Sequence, residues 1–245
     1  MPSAVDWRDG ALASACRLLA ILVVATAQSG CWEGVARETL STVLAIDGPA
    51  QISSDGGRTF VELRPTGTPG KGEVLRTDSK SRLSLAVLPN CLVYLDRDTE
   101  IEIVRLNLVK DGNETGSDIR GRLAELRLIK GRIFVSHLWG EAPARLAIFT
   151  SDGEVSTPTN AAFWVEFAEA KTRVTCVSGW IEFRPAGAPD STRIPPGSVG
   201  QWPSADATIS TAEADSRGQD DVQKAIQLEQ QMRALLSQKR NILPR

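Results

Sequence analysis

The sequence predicts an all-β domain followed by one C-terminal helix, and three observations carry that prediction. Apolar and polar residues alternate from Thr42 to Trp202, with turn signals about every ten residues. Three segments in that span share one template around a glycine: Ile46-Asp47-Gly48-Pro49-Ala50-Gln51-Ile52, Ile129-Lys130-Gly131-Arg132-Ile133-Phe134-Val135 and Val177-Ser178-Gly179-Trp180-Ile181-Glu182-Phe183. Residues 219–240, in contrast, carry a one-sided apolar stripe at helical spacing. A chain of 245 residues, 42% hydrophobic and 24% charged, has enough apolar surface for a core, which excludes wholesale disorder.

The amino-terminal segment has another character. Leu18 to Ala27 is an uncharged apolar or small run behind Arg17, too short to span a bilayer but suited to a secretory signal. Ala25-Thr26-Ala27 offers one cleavage site, leaving Gln28 first. Ser29-Gly30-Cys31 offers another, resembling a bacterial lipoprotein box with Cys31 acylated, although Gln28 stands where that box usually has leucine. Removal at Cys31 leaves an even pair of cysteines, Cys91 and Cys176, and removal after Ala27 leaves three, which favours the first in an oxidising compartment. Residues 1–30 are therefore read as a signal peptide of lipoprotein type and 31–41 as a tether. The expected location is the cell envelope, periplasmic or on the outer membrane through a lipid anchor, with secretion as the alternative.

Within the expected β domain, 42–202, Asp-Gly, Lys-Gly and Ser-Gly suit two-residue hairpin turns, where glycine supplies the positive φ. The implied pairs are Cys176 with Ile181 and Val174 with Phe183, Leu128 with Ile133 and Leu126 with Val135, Ala45 with Ala50 and Val43 with Ile52. Each hairpin then turns four apolar residues to one face and leaves Arg127, Thr175, Glu182 and Gln51 on the other. A fourth hairpin is expected at Pro89-Asn90, between two strands apolar on both faces, which puts it at the centre of the structure. Such hairpins stack solenoid-like or, alternatively, wrap into a β-sandwich. Residues 203–218 read as a flexible linker. The following helix, 219–240, has Asp220 and Asp221 at its start and Lys239-Arg240 at its end, in keeping with the macrodipole. Its stripe is Val222, Ala225, Leu228, Met232, Leu235 and Leu236, with Ile226 apart. It either docks on the chain's own β domain or forms a seam with a second copy or another partner.

The composition also excludes function classes. A formal net charge of −2 provides no basic stripe for nucleic acid. The single histidine, His137, rules out a two-histidine metal site. It follows a strand near Trp139 with no nucleophile elbow in the sequence, so a surface-loop position is expected rather than a catalytic one.

Leu75-Arg76-Thr77-Asp78-Ser79-Lys80-Ser81-Arg82-Leu83-Ser84-Leu85 resembles a hallmark of the FecR-like extracytoplasmic domain, with Arg76, Thr77, Ser81 and Arg82 as the motif residues. The resemblance continues through Leu88 to Leu95, Thr99-Glu100-Ile101-Glu102-Ile103, Gly131 to Val135 and Val174 to Phe183, covering roughly Thr42 to Trp202. Three departures stand out, the first being Pro89-Asn90 where the family has Asp-Gly in the fourth hairpin. Asn160-Ala161-Ala162-Phe163-Trp164-Val165 replaces the family's Gly-Thr-x-Phe-x-Val, and about seventeen residues before the apolar segment leave no room for an anti-sigma region. The resemblance implies an envelope-exposed, all-β interaction module in signal transduction, without catalysis or cofactor, binding an envelope protein.

Three further groups are candidate sites. Asp96, Asp98, Glu100 and Glu102 alternate and would share one face of a strand, as a calcium site or, preferably, a solvated face paired with arginines. Trp139, Trp164, Trp180 and Trp202 could form an exposed platform for a glycan such as peptidoglycan or, preferably, lie beneath a second layer or the C-terminal helix. Cys91 and Cys176 are either a disulfide or buried free thiols.

Overall fold

Alternation and glycine-bearing turns do not say whether a turn closes a hairpin within one sheet or carries the chain across to another. Both occur in the computed structural model, which describes residues 35–110, 119–138, 142–202, 210–213 and 216–242. Two units divide the chain, Met1–Val35 and Ala36–Arg245, and the architecture below is that of the second.

The first strands are β1 (Val35–Glu38), β2 (Thr42–Asp47), β3 (Ala50–Ser53), β4 (Val61–Glu62), β5 (Val74–Thr77), β6 (Arg82–Leu88), β7 (Cys91–Leu95) and β8 (Glu100–Lys110). A long strand β9 (Ile119–His137) precedes β10 (Ala144–Phe149), β11 (Gly153–Thr157), β12 (Ala161–Ala168) and β13 (Lys171–Ser178). Then come β14 (Ile181–Pro185), β15 (Thr192–Ile194), β16 (Ser198–Trp202), β17 (Ser210–Glu213) and the helix α1 (Ser216–Ile242).

Pairing sorts these strands into two sheets. Sheet A runs β4–β3–β5–β8–β9–β10–β11–β14–β15. Sheet B runs β2–β6–β7–β9–β12–β13–β16–β17. Of these pairings only β9 with β10 is parallel. Strand β9 belongs to both sheets: residues up to Lys130 pair with β8, and those beyond Gly131 pair with β7. One core lies between the sheets. Leu75, Ile101, Leu126, Ile148 and Phe183 enter it from sheet A, and Leu85, Val93, Val135, Phe163 and Val174 from sheet B. Both expected arrangements are thus combined, because strands advance in chain order as in a solenoid while two sheets enclose a core as in a sandwich.

Three of the four expected hairpins are instead corners between the sheets. Asp47-Gly48 leads from β2 in sheet B to β3 in sheet A, and Ser178-Gly179 leads from β13 to β14. At Lys130-Gly131 the strand simply bends across. Cys176 therefore pairs with Phe163 rather than Ile181, Leu128 with Ile101 rather than Ile133, and Ala45 with Ser84 rather than Ala50. Most inward assignments nevertheless hold: Val43, Ala50, Leu126, Leu128, Ile133, Val135, Val174, Cys176, Ile181 and Phe183 enter the core, and Ile52 packs against it. Ala45 does not, because a register shift between Val43 and Ala45 turns it to the outer face of sheet B. A corner and a hairpin both turn the chain at a positive φ and leave apolar residues facing inward on either side, so alternation cannot tell them apart. The corners are tight. Gly179 has φ +72°, and a Cβ there would lie 1.9 Å from the Asn160 carbonyl oxygen; Gly131 has φ +89°, and a Cβ would lie 2.6 Å from Thr99.

The fourth hairpin is as expected. Leu88 pairs with Cys91, Asn90 takes φ 66°, and every residue of β7 is buried. Both faces of β7 are apolar because the helix covers one of them. Helix α1 begins earlier than expected, so Asp220 and Asp221 lie beyond its first turn, and part of the expected linker 203–218 is strand β17 and helix. The expected tether 31–41 likewise contains β1. The stripe docks on the outer face of sheet B: Ala225 and Met232 are buried there, Leu228, Leu235 and Leu236 pack beside them, and Ile226 is 45% exposed.

Candidate functional site beneath the C-terminal helix

Cross-strand register builds an aromatic row on the outer face of sheet B. Tyr94 of β7 pairs with Phe134 of β9, Phe134 with Trp164 of β12, and Trp164 with Thr175 of β13. Leu92, Leu44 and Ala162 extend this row into an apolar face. Tyr94 meets Trp164 edge-on with centroids 6.2 Å apart, and Phe134 lies 5.2 Å from it.

Charged groups ring the aromatic row and join it to α1. The Trp164 Nε1–H donates to the Asp221 main-chain oxygen at 3.0 Å. The Arg132 guanidinium lies 3.9 Å from the Trp164 centroid and pairs with the Asp221 carboxylate. Lys224 Nζ pairs with Asp96 at 2.6 Å and stands 5.0 Å from the same ring. Arg82 approaches Asp96 at 3.8 Å and Asp47 at 3.1 Å. Further along α1, Glu229 accepts from Ser136 at 2.8 Å and is bridged by Arg233, and Lys239 donates to the carbonyls of Val43 and Pro65. Burial would raise the Asp96 pKa, but the hydrogen bond and charge of Lys224 outweigh it and hold the carboxyl below 3.8. Burial, with Asp96 nearby, pushes the Tyr94 hydroxyl up to about 12. A cavity of about 350 Å³ remains under the helix, lined by Ala45, Arg82 and Tyr94 from the sheet and Leu228, Met232 and Leu235 from α1.

The four motif residues hold the corners together. The Thr77 hydroxyl donates to the Asp96 carbonyl at 2.6 Å and accepts from the Thr99 amide at 3.1 Å. Ser81 Oγ accepts from the Asp78 amide at 2.7 Å. Arg76 donates to Gln51 at 2.6 Å and covers the Phe60 ring at 3.7 Å. Arg82 tethers the same corners through Asp47 and Asp96.

Other expectations need correction. Asp96, Asp98, Glu100 and Glu102 do not share a strand face: the corner between β7 and β8 takes Asp96 and Asp98, the latter at φ 52°. Glu100 pairs with Lys130 at 3.8 Å and Glu102 with Arg127, the cross-strand pairing preferred from sequence. Trp164 and Trp202 are buried, the latter stacked on Phe183 at 3.7 Å, and Trp180 is half-buried under Arg193, so these three make no open platform. Trp139 and Cys31 lie outside the described residues.

Cys91 and Cys176 are free buried thiols. Strands β9 and β12 separate theirs, which at ~4.8 Å per strand is about 14 Å, beyond disulfide reach. Burial pushes both thiols up to about 12. His137 is not on a surface loop; it ends β9, 2% exposed, with Nδ1 3.4 Å from the Thr159 oxygen. Burial holds its pKa below 6.5, despite the opposing contact with Thr159. Sequence reading missed Arg132, Asp221 and Lys224. A signal existed for the last two, since Asp221 is four residues before Ala225 and Lys224 four before Leu228, charges along the apolar stripe.

No family model matches the chain, and no curated protein does. Two crystal structures of a candidate anti-sigma factor from Parabacteroides distasonis ATCC 8503 are similar to it, with TM-scores of 0.42 and 0.43 and 16% identity. The match covers 59% of this chain and 61% of theirs, and at that level of similarity it carries no functional argument.

Proposed function

We propose that the chain is a non-catalytic binding module of the bacterial cell envelope, with a FecR-like β domain that senses or scaffolds a protein partner in signal transduction. One observation carries this reading: the outer face of sheet B is an aromatic row shaped to hold a helix. The motif that resembles the FecR-like family supports it too, since Arg76, Thr77, Ser81 and Arg82 set the corners that bring Asp96 and Arg82 to the edge of that face. The glycan reading loses its support with the burial of Trp164 and Trp202. Photo-crosslinking groups at Asp47 and Ser84 on the sheet B face, and at Gln231 of α1, should trap a discrete envelope protein. No adduct at any of the three positions would sink the reading. Lipid anchoring at Cys31 belongs to the same proposal. Mass spectrometry of the mature protein should find an acylated Cys31; a free Gln28 terminus would overturn the anchor.

A further inference from the structure

We propose that α1 is a releasable cover and that the sheet B face beneath it takes an amphipathic helix from the partner protein. The proposal deepens the binding-module reading and rests on it. Three features set α1 apart from the sheets it lies on. Its apolar anchors are few, with only Ala225 and Met232 fully buried among the described residues, whereas the inter-sheet core is one continuous apolar cluster. Its contact is incomplete, leaving the cavity lined by Tyr94, Leu228, Met232 and Leu235. Its remaining ties are polar: ion pairs of Asp221 with Arg132, Lys224 with Asp96 and Arg217 with Glu166 at 2.6 Å, and hydrogen bonds through Trp164, Ser136 and Lys239. Elements with few buried apolar contacts open locally at much lower free energy than the fold as a whole. The strands below do not depend on α1 for their hydrogen bonds, because β7, β9 and β12 are each paired on both sides.

The face exposed by release specifies its occupant. Leu92, Tyr94, Phe134 and Trp164 offer an apolar aromatic strip, with the Arg132 cation and the Asp96 carboxylate beside Trp164. A helix that fits must bring a carboxylate to Arg132 and an ammonium to Asp96. The partner segment is therefore an amphipathic helix with an acidic residue three positions before a basic one, followed by apolar residues at the spacing of Ala225, Leu228, Met232 and Leu235. Such a ligand binds only the fraction of molecules in which α1 has left, so weakening the native latch tightens its binding.

Hydrogen exchange and peptide binding on the full chain test this together. Amides of α1 should exchange at least tenfold faster than those of β7, β9 and β12. Lys224→Glu should accelerate α1 about tenfold more and leave the strands unchanged. A fluorescein-labelled peptide of residues 216–242 should bind the Lys224→Glu chain about tenfold more tightly than the unaltered chain, read by anisotropy. Helix amides as protected as the strands in the unaltered chain would overturn the proposal, as would a peptide that ignores the substitution. Envelope crosslinks without helix release would retire the cover alone. Release and peptide capture without any crosslink would retain the cover and remove the signalling role.

Discussion

The outer faces of the two sheets meet their surroundings in opposite ways. Sheet A faces water with ion pairs: Arg105 with Glu125, Arg127 with Glu102, Lys130 with Glu100, and Glu154 between Arg145 and Arg184. Sheet B presents Leu92, Tyr94, Phe134 and Trp164 and is covered by α1. The chemistry beneath is the same alternation, with inward residues of both sheets sharing one core. The difference is in how replaceable each group is. Exposed pairs are individually weak, so the face of sheet A depends on being polar rather than on any one partner. The face of sheet B depends on a few buried groups, each with a defined neighbour.

Substitutions should separate the two faces sharply. Trp164→Ala removes the ring on which Arg132, Lys224, Tyr94 and Phe134 converge, and should cost about 3–5 kcal/mol in urea unfolding. A cost no larger than that of a sheet A substitution would abolish the contrast. Asp221→Ala leaves Arg132, whose side chain is 16% exposed, without its carboxylate, and should cost about 3 kcal/mol. Far-UV circular dichroism during denaturation measures it, and Asp221→Asn should recover part of the loss by keeping a hydrogen-bond acceptor.

Acid provides a milder probe. The folded Asp96 pKa lies below 3.8, so its stabilisation is complete above that pH and is lost as the pH falls through the depressed folded value. Trp164 fluorescence should therefore report loosening of α1 in that window, and Lys224→Gln should reduce the pH dependence. An unchanged profile would place the latch elsewhere. The smallest effect is expected from Arg127→Ala on sheet A, below about 0.5 kcal/mol by the same urea titration. A loss of more than about 2 kcal/mol there would mean that the ion-pair surface is cooperative after all.

Parts of this arrangement were legible residue by residue. The alternation at Val174, Cys176, Ile181 and Phe183 identified the inward face, and Asn90 identified a true hairpin from its tolerance of positive φ. The spacing of Ala225, Leu228 and Met232 identified the docking side of α1 and set Ile226 apart. What misled was the glycine template at Gly48, Gly131 and Gly179, because a positive φ marks a change of direction without saying which sheet receives the chain. The tryptophans left two readings open for a related reason, since amphipathic rings suit a covered face and an exposed one; the covered reading holds for Trp164 and Trp202.

The sequence by itself determined the strands, their faces and the helix, because those follow from periodicities of two and 3.6 residues within a few neighbours. Only the tertiary structure decided the partners. Lys224 meets Asp96 across 128 positions, and Asp221 reaches the Trp164 Nε1–H across 57. Long-range pairing depends on which sheets the corners join and on the depth at which each charge is buried. Local alternation contains neither.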